Sequence, residues 1–446
     1  MKSQPQETRL APVPSAAKQA RDLPARWAWA EPAVWTDRML TALERGVKGG
    51  VWFSLIDKVY SPDNLRSAFC QVKKNRGSPG CDHQTIAMFE ARREANLENL
   101  SKQLREGIYR PCAVKRVHIP KPGSRETRPL GIPTVRDRVV QAALRHAMEP
   151  IFERDFAEHS YGFRPGRGCK DALRRVDDLL RAGYTHIVDA DLKSYFDTIP
   201  HDLLMSRIKE KIADGRVLKL VESFLTQGVM DGLHEWTPES GSPQGAVISP
   251  LLSNVYLDPL DHQMASSGYE MVRYADDFII LCRSVSEAEE ALDRVGRWVA
   301  EARLTLHPAK TRIVDANEEG FNFLGYHFRR DSCWPSEKSV QKLRSAIRPK
   351  TRRLKGQSLS VIIADVNRTT RGWFAYFKHT RVDSFFRTLD GWIRRRLRRI
   401  LMKRHKKKRH NGLGTAHQRW PNTYFAGRGL LSLETAHVRV RQSVKR

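Results

Sequence analysis

The sequence predicts an α+β fold that gives way to a basic, all-helical C-terminal region. Three observations carry that expectation. Strand and helix patterns alternate irregularly from about residue 110 to 330, helical periodicity takes over beyond Pro335, and 78 Lys+Arg against 50 Asp+Glu give a formal net charge of +28. With 446 residues, 40% of them hydrophobic, the chain can bury a sizeable core over two to four domains. Its charge makes nucleic acid the leading partner. No run of about 18 apolar residues offers a membrane span, and the N-terminus lacks the apolar core of a secretory signal, so a cytoplasmic protein with no membrane partner is expected. The six cysteines (Cys70, Cys81, Cys112, Cys169, Cys282, Cys333) form no C-x-x-C pair. They read as reduced, mostly buried thiols.

Residues 1–55 begin Pro- and Ala-rich and read as a flexible lead-in. From Asn64 to Leu104 the pattern is helical, broken by the turn RGSPGCD at 76–82. AVKRVHIP reads as a strand running into KPGSRETRPLGIP, whose charges are expected on a loop. Val139, Ala142, Ala143 and Ala147 fall at helical spacing, as do Leu173, Val176 and Leu180 in a second helix at 170–181. In HIVDADL, Val188, Ala190 and Leu192 point one way on a strand while Ile187, Asp189 and Asp191 point the other. Pro200 opens a helix with Leu204, Ile208 and Ile212, and residues 241–261 read as a Gly/Pro loop entering another. Beyond Pro335, helices are expected at 358–378 and 392–410, the latter with Ile393, Leu397, Ile400 and Leu401 as an apolar stripe between arginines. No internal repeat appears.

The stretch VRYADDFIIL at 272–281 sets two adjacent aspartates inside an apolar run. As a polar hairpin corner the pair needs no further role. With a third carboxylate it could hold hard divalent cations, and Asp191 is the candidate if its strand neighbours the hairpin.

DLKSYFD at 191–197, SPQG at 242–245 and YADD at 274–277, in that order, resemble the palm of reverse transcriptases. More particularly the chain resembles the bacterial group II intron reverse transcriptase/maturase family. NLRSAFCQVKKNRGSPGCD, VHIPKPGSRETRPLGIPTVRDRVVQAAL, YGFRPGRGCKDAL, LTLHPAKTRI, FNFLGYHF and RGWFAYFK extend the likeness over roughly residues 60–430.

The resemblance implies a right-hand polymerase. Residues 56–110 would be an N-terminal extension and start of the fingers, 111–334 fingers and an antiparallel-sheet palm, 335–400 a helical thumb/maturase domain, and 401–446 a basic nucleic-acid-binding segment. It implies that Asp191, Asp276 and Asp277 hold two Mg2+ ions, with Asp276 the more direct ligand. Asp189 would be a bystander, and Asp197 would cap the helix near Pro200. Phe196 would block a ribose 2′-hydroxyl, Lys121 and Arg128 would grip the triphosphate, and Gln244 and Gly245 would lie against the nucleotide sugar and template. Core packing, RNA-backbone contact and turn geometry are the plainer readings of these residues. Lys310 is a candidate general acid or a solvated lysine.

Arg394, Arg395, Arg398, Arg399, Lys406, Lys407 and Lys408 are the expected RNA contacts. The implied partners are group II intron RNA in a ribonucleoprotein, an RNA template with a DNA primer, target DNA and dNTPs, in a nucleoid-associated setting. The implied activity is RNA-directed DNA synthesis together with assistance to splicing and retrohoming. A domesticated reverse transcriptase of defence or repair, and an RNA-folding maturase without polymerase activity, are the alternatives. Paired cysteines for a His/Cys-rich endonuclease are lacking, so no such domain is expected.

Overall fold

Eleven strands and a series of helices build the described part of the chain: residues 25–120, 127–353, 356–405 and 412–444 of a computed structural model. The strands are β1 (Val114–Pro120), β2 (Thr127–Ile132), β3 (His186–Asp191), β4 (Val229–Asp231), β5 (His234–Trp236), β6 (Glu270–Tyr274), β7 (Asp277–Cys282), β8 (Arg312–Asp315), β9 (Phe321–Phe323), β10 (Tyr326–Arg329) and β11 (Ser332–Pro335). They form three sheets, ordered β2-β1-β4-β5, β6-β7-β3-β8 and β11-β10-β9.

The central sheet β6-β7-β3-β8 is antiparallel throughout. Alternation along β3 and β7 divides its two faces. Val188, Ala190, Phe278, Ile280 and Cys282 face a large core built with the helices Pro62–Asn75, Val135–Glu153, Ser249–Ser266 and Val285–Glu301. Ile187, Ile279 and Leu281 face a second core with Val176 and Leu179 of helix Cys169–Arg181 and with Phe321, Phe328 and Phe377. The same second face carries Asp189 and Asp191, as the alternation in HIVDADL predicts. A third core joins helices Glu337–Lys350, Leu359–Phe377 and Asp383–Arg404, with the stripe Ile393, Leu397, Ile400 and Leu401 inside it. This is the right hand expected from the sequence: a mixed fingers sheet, an antiparallel palm sheet and a helical thumb.

Four expectations need correction. The flexible lead-in does not extend to residue 55: Trp27, Val34, Trp35, Leu40 and Leu43 are buried in the large core, and Thr36 caps the helix Asp37–Arg45. Five aromatic or aliphatic anchors within this stretch outweigh its turn-forming composition. Arg128 lies on β2, paired opposite Ile119, and so not on a loop. Asp197 sits inside the short helix Tyr195–Thr198 and does not cap helix His201–Lys209, whose N-cap is Pro200. Only Cys282 and Cys333 of the six free cysteines are buried, and Cys70 is exposed.

Candidate active site

The carboxylates meet because of register. Asp191, the last residue of β3, lies directly opposite Asp277, the first of β7. Tyr274 pairs with the same Asp277 across the hairpin, which leaves Ala275 and Asp276 as a two-residue turn. The two aspartates therefore differ in setting: Asp276 is at the corner and Asp277 is already in the sheet.

Ala275 has φ of +60°, a left-handed conformation that suits such a hairpin and costs an alanine roughly 1–2 kcal/mol. A buried network holds it there. Arg273, fully buried, donates from Nη1 to the Ala275 carbonyl at 2.9 Å and to Asn254 Oδ1 at 3.0 Å. Its Nε lies 2.8 and 3.0 Å from the two oxygens of buried Asp261. Asn254 in turn donates to the Gly162 carbonyl at 2.9 Å. Gly162 runs so close beneath the turn that a Cβ there would overlap the Ala275 nitrogen. The neighbouring chain clasps the outer edge of β6, with Tyr161 N donating to Arg273 O at 2.9 Å and Arg273 N to His159 O at 3.0 Å.

Electrostatics at the corner are unbalanced. Crowding by protein, followed by the charges of Asp189, Asp276 and Asp191, pushes the Asp277 carboxyl up to about 7, with Lys310 opposing. Asp277 nonetheless keeps a solvent-accessible edge. Burial also raises Asp276, where Asp191 adds to the effect and the Arg128 guanidinium opposes it. Asp189 is raised chiefly by burial and is faced by Arg312, its direct partner on β8, at 3.8 Å. Lys310 forms an ion pair with Asp191. The segment bearing it is tied to the end of β3 by His307 N donating to Asp191 O at 2.7 Å.

Three hard oxygen donors with too little compensating charge suit a divalent cation in kind. Among the described residues, however, no group of three His, Cys, Asp or Glu side chains has converged far enough to hold a metal. Lys310 is the cation on Asp191 here.

The remaining predicted residues fall into distinct groups. Phe196 and Gln244 line one cavity of about 410 Å3 beside the fingers sheet, and Phe196 packs edge-on against buried Tyr195. The Gln244 carbonyl accepts from Gly131 N at 2.7 Å. Gly245, at φ of +109°, leaves no room for a side chain, since a Cβ would stand 2.6 Å from Gly131 O. Arg128 is exposed, and Lys121 lies outside the described residues.

The basic set divides further. Arg395 and Arg399 are exposed, whereas Lys406, Lys407 and Lys408 lie outside the described residues. Arg394 is 3.8 Å from Asp390, with its side chain only 16% exposed. Arg398 is a correction: it is 1% exposed, and its guanidinium is spent on Trp420 O at 2.9 Å and Asn422 Oδ1 at 2.8 Å. It holds the C-terminal segment and, being buried, offers RNA no accessible surface.

Sequence reasoning missed Arg273 and Gly162, while Asp189, expected to be a bystander, adds its charge to the rise of Asp277. The signal for Arg273 was a lone arginine inside an apolar strand run, which demands a buried partner.

Comparisons with known proteins identify the family. The family described as reverse transcriptase (RNA-dependent DNA polymerase) matches residues 119–328, and the maturase-specific domain of group II introns matches residues 340–420. Protein YkfC of Escherichia coli (strain K12) is 34% identical over 348 residues, covering 69% of this chain and 86% of YkfC. The chain belongs to the group II intron reverse transcriptase/maturase family. The group II intron-encoded protein LtrA of Lactococcus lactis subsp. cremoris is 39% identical over 202 residues, 45% of this chain but 33% of LtrA. A solved partial Cas6-RT-Cas1–Cas2 complex aligns with 56% of this chain and 41% of that chain, at 26% identity and a TM-score of 0.37. In this reverse transcriptase/maturase the first matched region ends at residue 328 and the second begins at 340, with β11 and the start of helix Glu337–Lys350 between them.

Proposed function

We propose that the chain copies RNA into DNA at the carboxylate corner and binds group II intron RNA through its thumb, as a ribonucleoprotein that assists splicing and target-primed retrohoming. The observation that carries the reading is the register that sets Asp191 opposite Asp277, with Asp276 at the adjoining turn. Two Mg2+ ions held by Asp191, Asp276 and Asp277 would supply stabilisation of the attacking and leaving oxygens of nucleotidyl transfer.

The chain's own residues do the rest. Arg128, whose positive charge is felt at Asp276, offers an exposed guanidinium fork suited to the triphosphate of an incoming dNTP. Lys121 extends that grip. Phe196 and the Gln244–Gly245 loop bound the space for sugar and base, Phe196 excluding a 2′-hydroxyl. Lys310, ion-paired with Asp191, would serve as the general acid toward departing pyrophosphate.

On the thumb, exposed Arg395 is one RNA contact, and Arg399 shares a cavity of about 880 Å3 with Arg352, Arg353, Arg396 and Lys403. That lining contains five cations and no carboxylate, a chemistry that fits phosphodiesters. The primer terminus would come from target DNA, and the particle would work in the cytoplasm at the nucleoid.

The test is primer extension on an RNA template with Mg2+. Wild type is expected to extend with dNTPs, and Asp276→Asn is expected to lower the rate by at least about a thousandfold, the scale of losing a major charge-stabilising group. A wild type that binds intron RNA but makes no DNA would overturn the polymerase half and leave a maturase alone.

A further inference from the structure

The cavity that contains Phe196 and Gln244 continues outward along the fingers sheet to Arg116 and Trp236. Trp236 ends β5, the edge strand, where it pairs with Val229. Its indole stacks with the His234 ring at 5.3 Å between centroids and 25° between planes, and the Arg116 guanidinium lies 5.0 Å from its centroid. None of the three side chains belongs to an apolar core, so packing does not account for them. His234 is exposed, and Leu233 beside it, at the hairpin tip, projects wholly into solvent.

The charge on this wall is informative. Arg116 is accompanied by Asp197 and Glu239 in the same lining. With one cation against two carboxylates this wall disfavours phosphate, unlike the all-cationic thumb cavity. A planar π surface with one cation instead favours the uncharged face of a nucleobase, which can stack regardless of sequence.

We propose that Arg116, Trp236 and His234 form a stacking ledge for unpaired bases of the template strand as they approach the carboxylate corner. The occupant is the template because the ledge is continuous with the cavity of Phe196 and Gln244, so the inference rests on the polymerase reading above.

The experiment measures binding of the full chain, without dNTP, to primer–template duplexes whose template overhang is one nucleotide or eight. Trp236→Ala is expected to weaken binding to the eight-nucleotide overhang roughly tenfold, the scale of one lost base stack, and to leave the one-nucleotide duplex unchanged. Trp236→Phe should keep most of the affinity. Because His234 is exposed, His234→Ala repeats the comparison without disturbing packing and should lose about threefold on the long overhang only. 2-Aminopurine in the overhang should be quenched by wild type and brighten with Trp236→Ala. Equal loss on both duplexes, or loss on neither, overturns the ledge. Failure of the wild type to extend either duplex while the overhang-dependent binding persists would instead count against the polymerase reading alone.

Discussion

The palm corner and the thumb helix Asp383–Arg404 both concentrate like charge, yet they handle it in opposite ways. At the corner, Asp189, Asp191, Asp276 and Asp277 share one end of a sheet with Lys310, Arg312 and Arg128 as incomplete compensation, and crowding lifts the carboxyl of Asp277 to about 7. Along the thumb helix the arginines are sorted: Arg398 is buried and bonded to Trp420 and Asn422, Arg394 is near Asp390, and Arg395 and Arg399 face water. Strain is thus retained where chemistry is proposed and discharged where the fold is held together. A charged residue's role depends on whether its charge is already spent.

This contrast can be broken experimentally, beginning with the support beneath the corner. Arg273→Gln strands Asp261 as a buried, unpaired charge and should cost about 3–5 kcal/mol in urea unfolding. A loss below 1 kcal/mol would mean that the network does not hold the turn. On the thumb, Arg398→Met preserves bulk but leaves Trp420 O and Asn422 without their donor, so a loss of roughly 2–3 kcal/mol is expected, with RNA affinity of the folded protein unchanged.

Asp277→Asn should do the reverse at the corner and raise stability in metal-free buffer at pH 8. The gain is on the order of 1 kcal/mol, discounted because the side chain retains access to solvent. Unchanged or lower melting temperature would show that the carboxylates do not oppose one another. The smallest structural effect belongs to Arg395→Ala: stability within about 0.5 kcal/mol of wild type, and a slope of log affinity for RNA against log salt that falls by about one.

The sequence was most informative where a residue's environment follows from its immediate neighbours. Alternation in HIVDADL assigns Asp189 and Asp191 to one face, and the stripe Ile393, Leu397, Ile400 and Leu401 assigns a helix to its core, because periodicities of two and 3.6 are local. The adjacency of Asp191 and Asp277 came through likeness to a family, since register between strands 86 positions apart has no local signature. Arg398 was misread for the same reason: its partners Trp420 and Asn422 lie 22 and 24 residues further along, and nothing in the arginine run separates it from Arg395. Trp27 and Trp35 were hidden by Pro-rich neighbours, although their indole surfaces outweigh the local turn chemistry.

Gly162 bears on how the corner can change. Because backbone lies directly on backbone beneath Ala275, no side chain intervenes through which the spacing could be lengthened or shortened by degrees. Substitutions around the hairpin can retune charge, metal preference or nucleotide fit while the platform stays at one height. A substitution at residue 162 itself has no graded outcome: it either lifts the turn off its seat or forces the loop 159–162 away from β6. For protein engineering, this makes 162 a fixed datum from which the surrounding pocket can be redesigned.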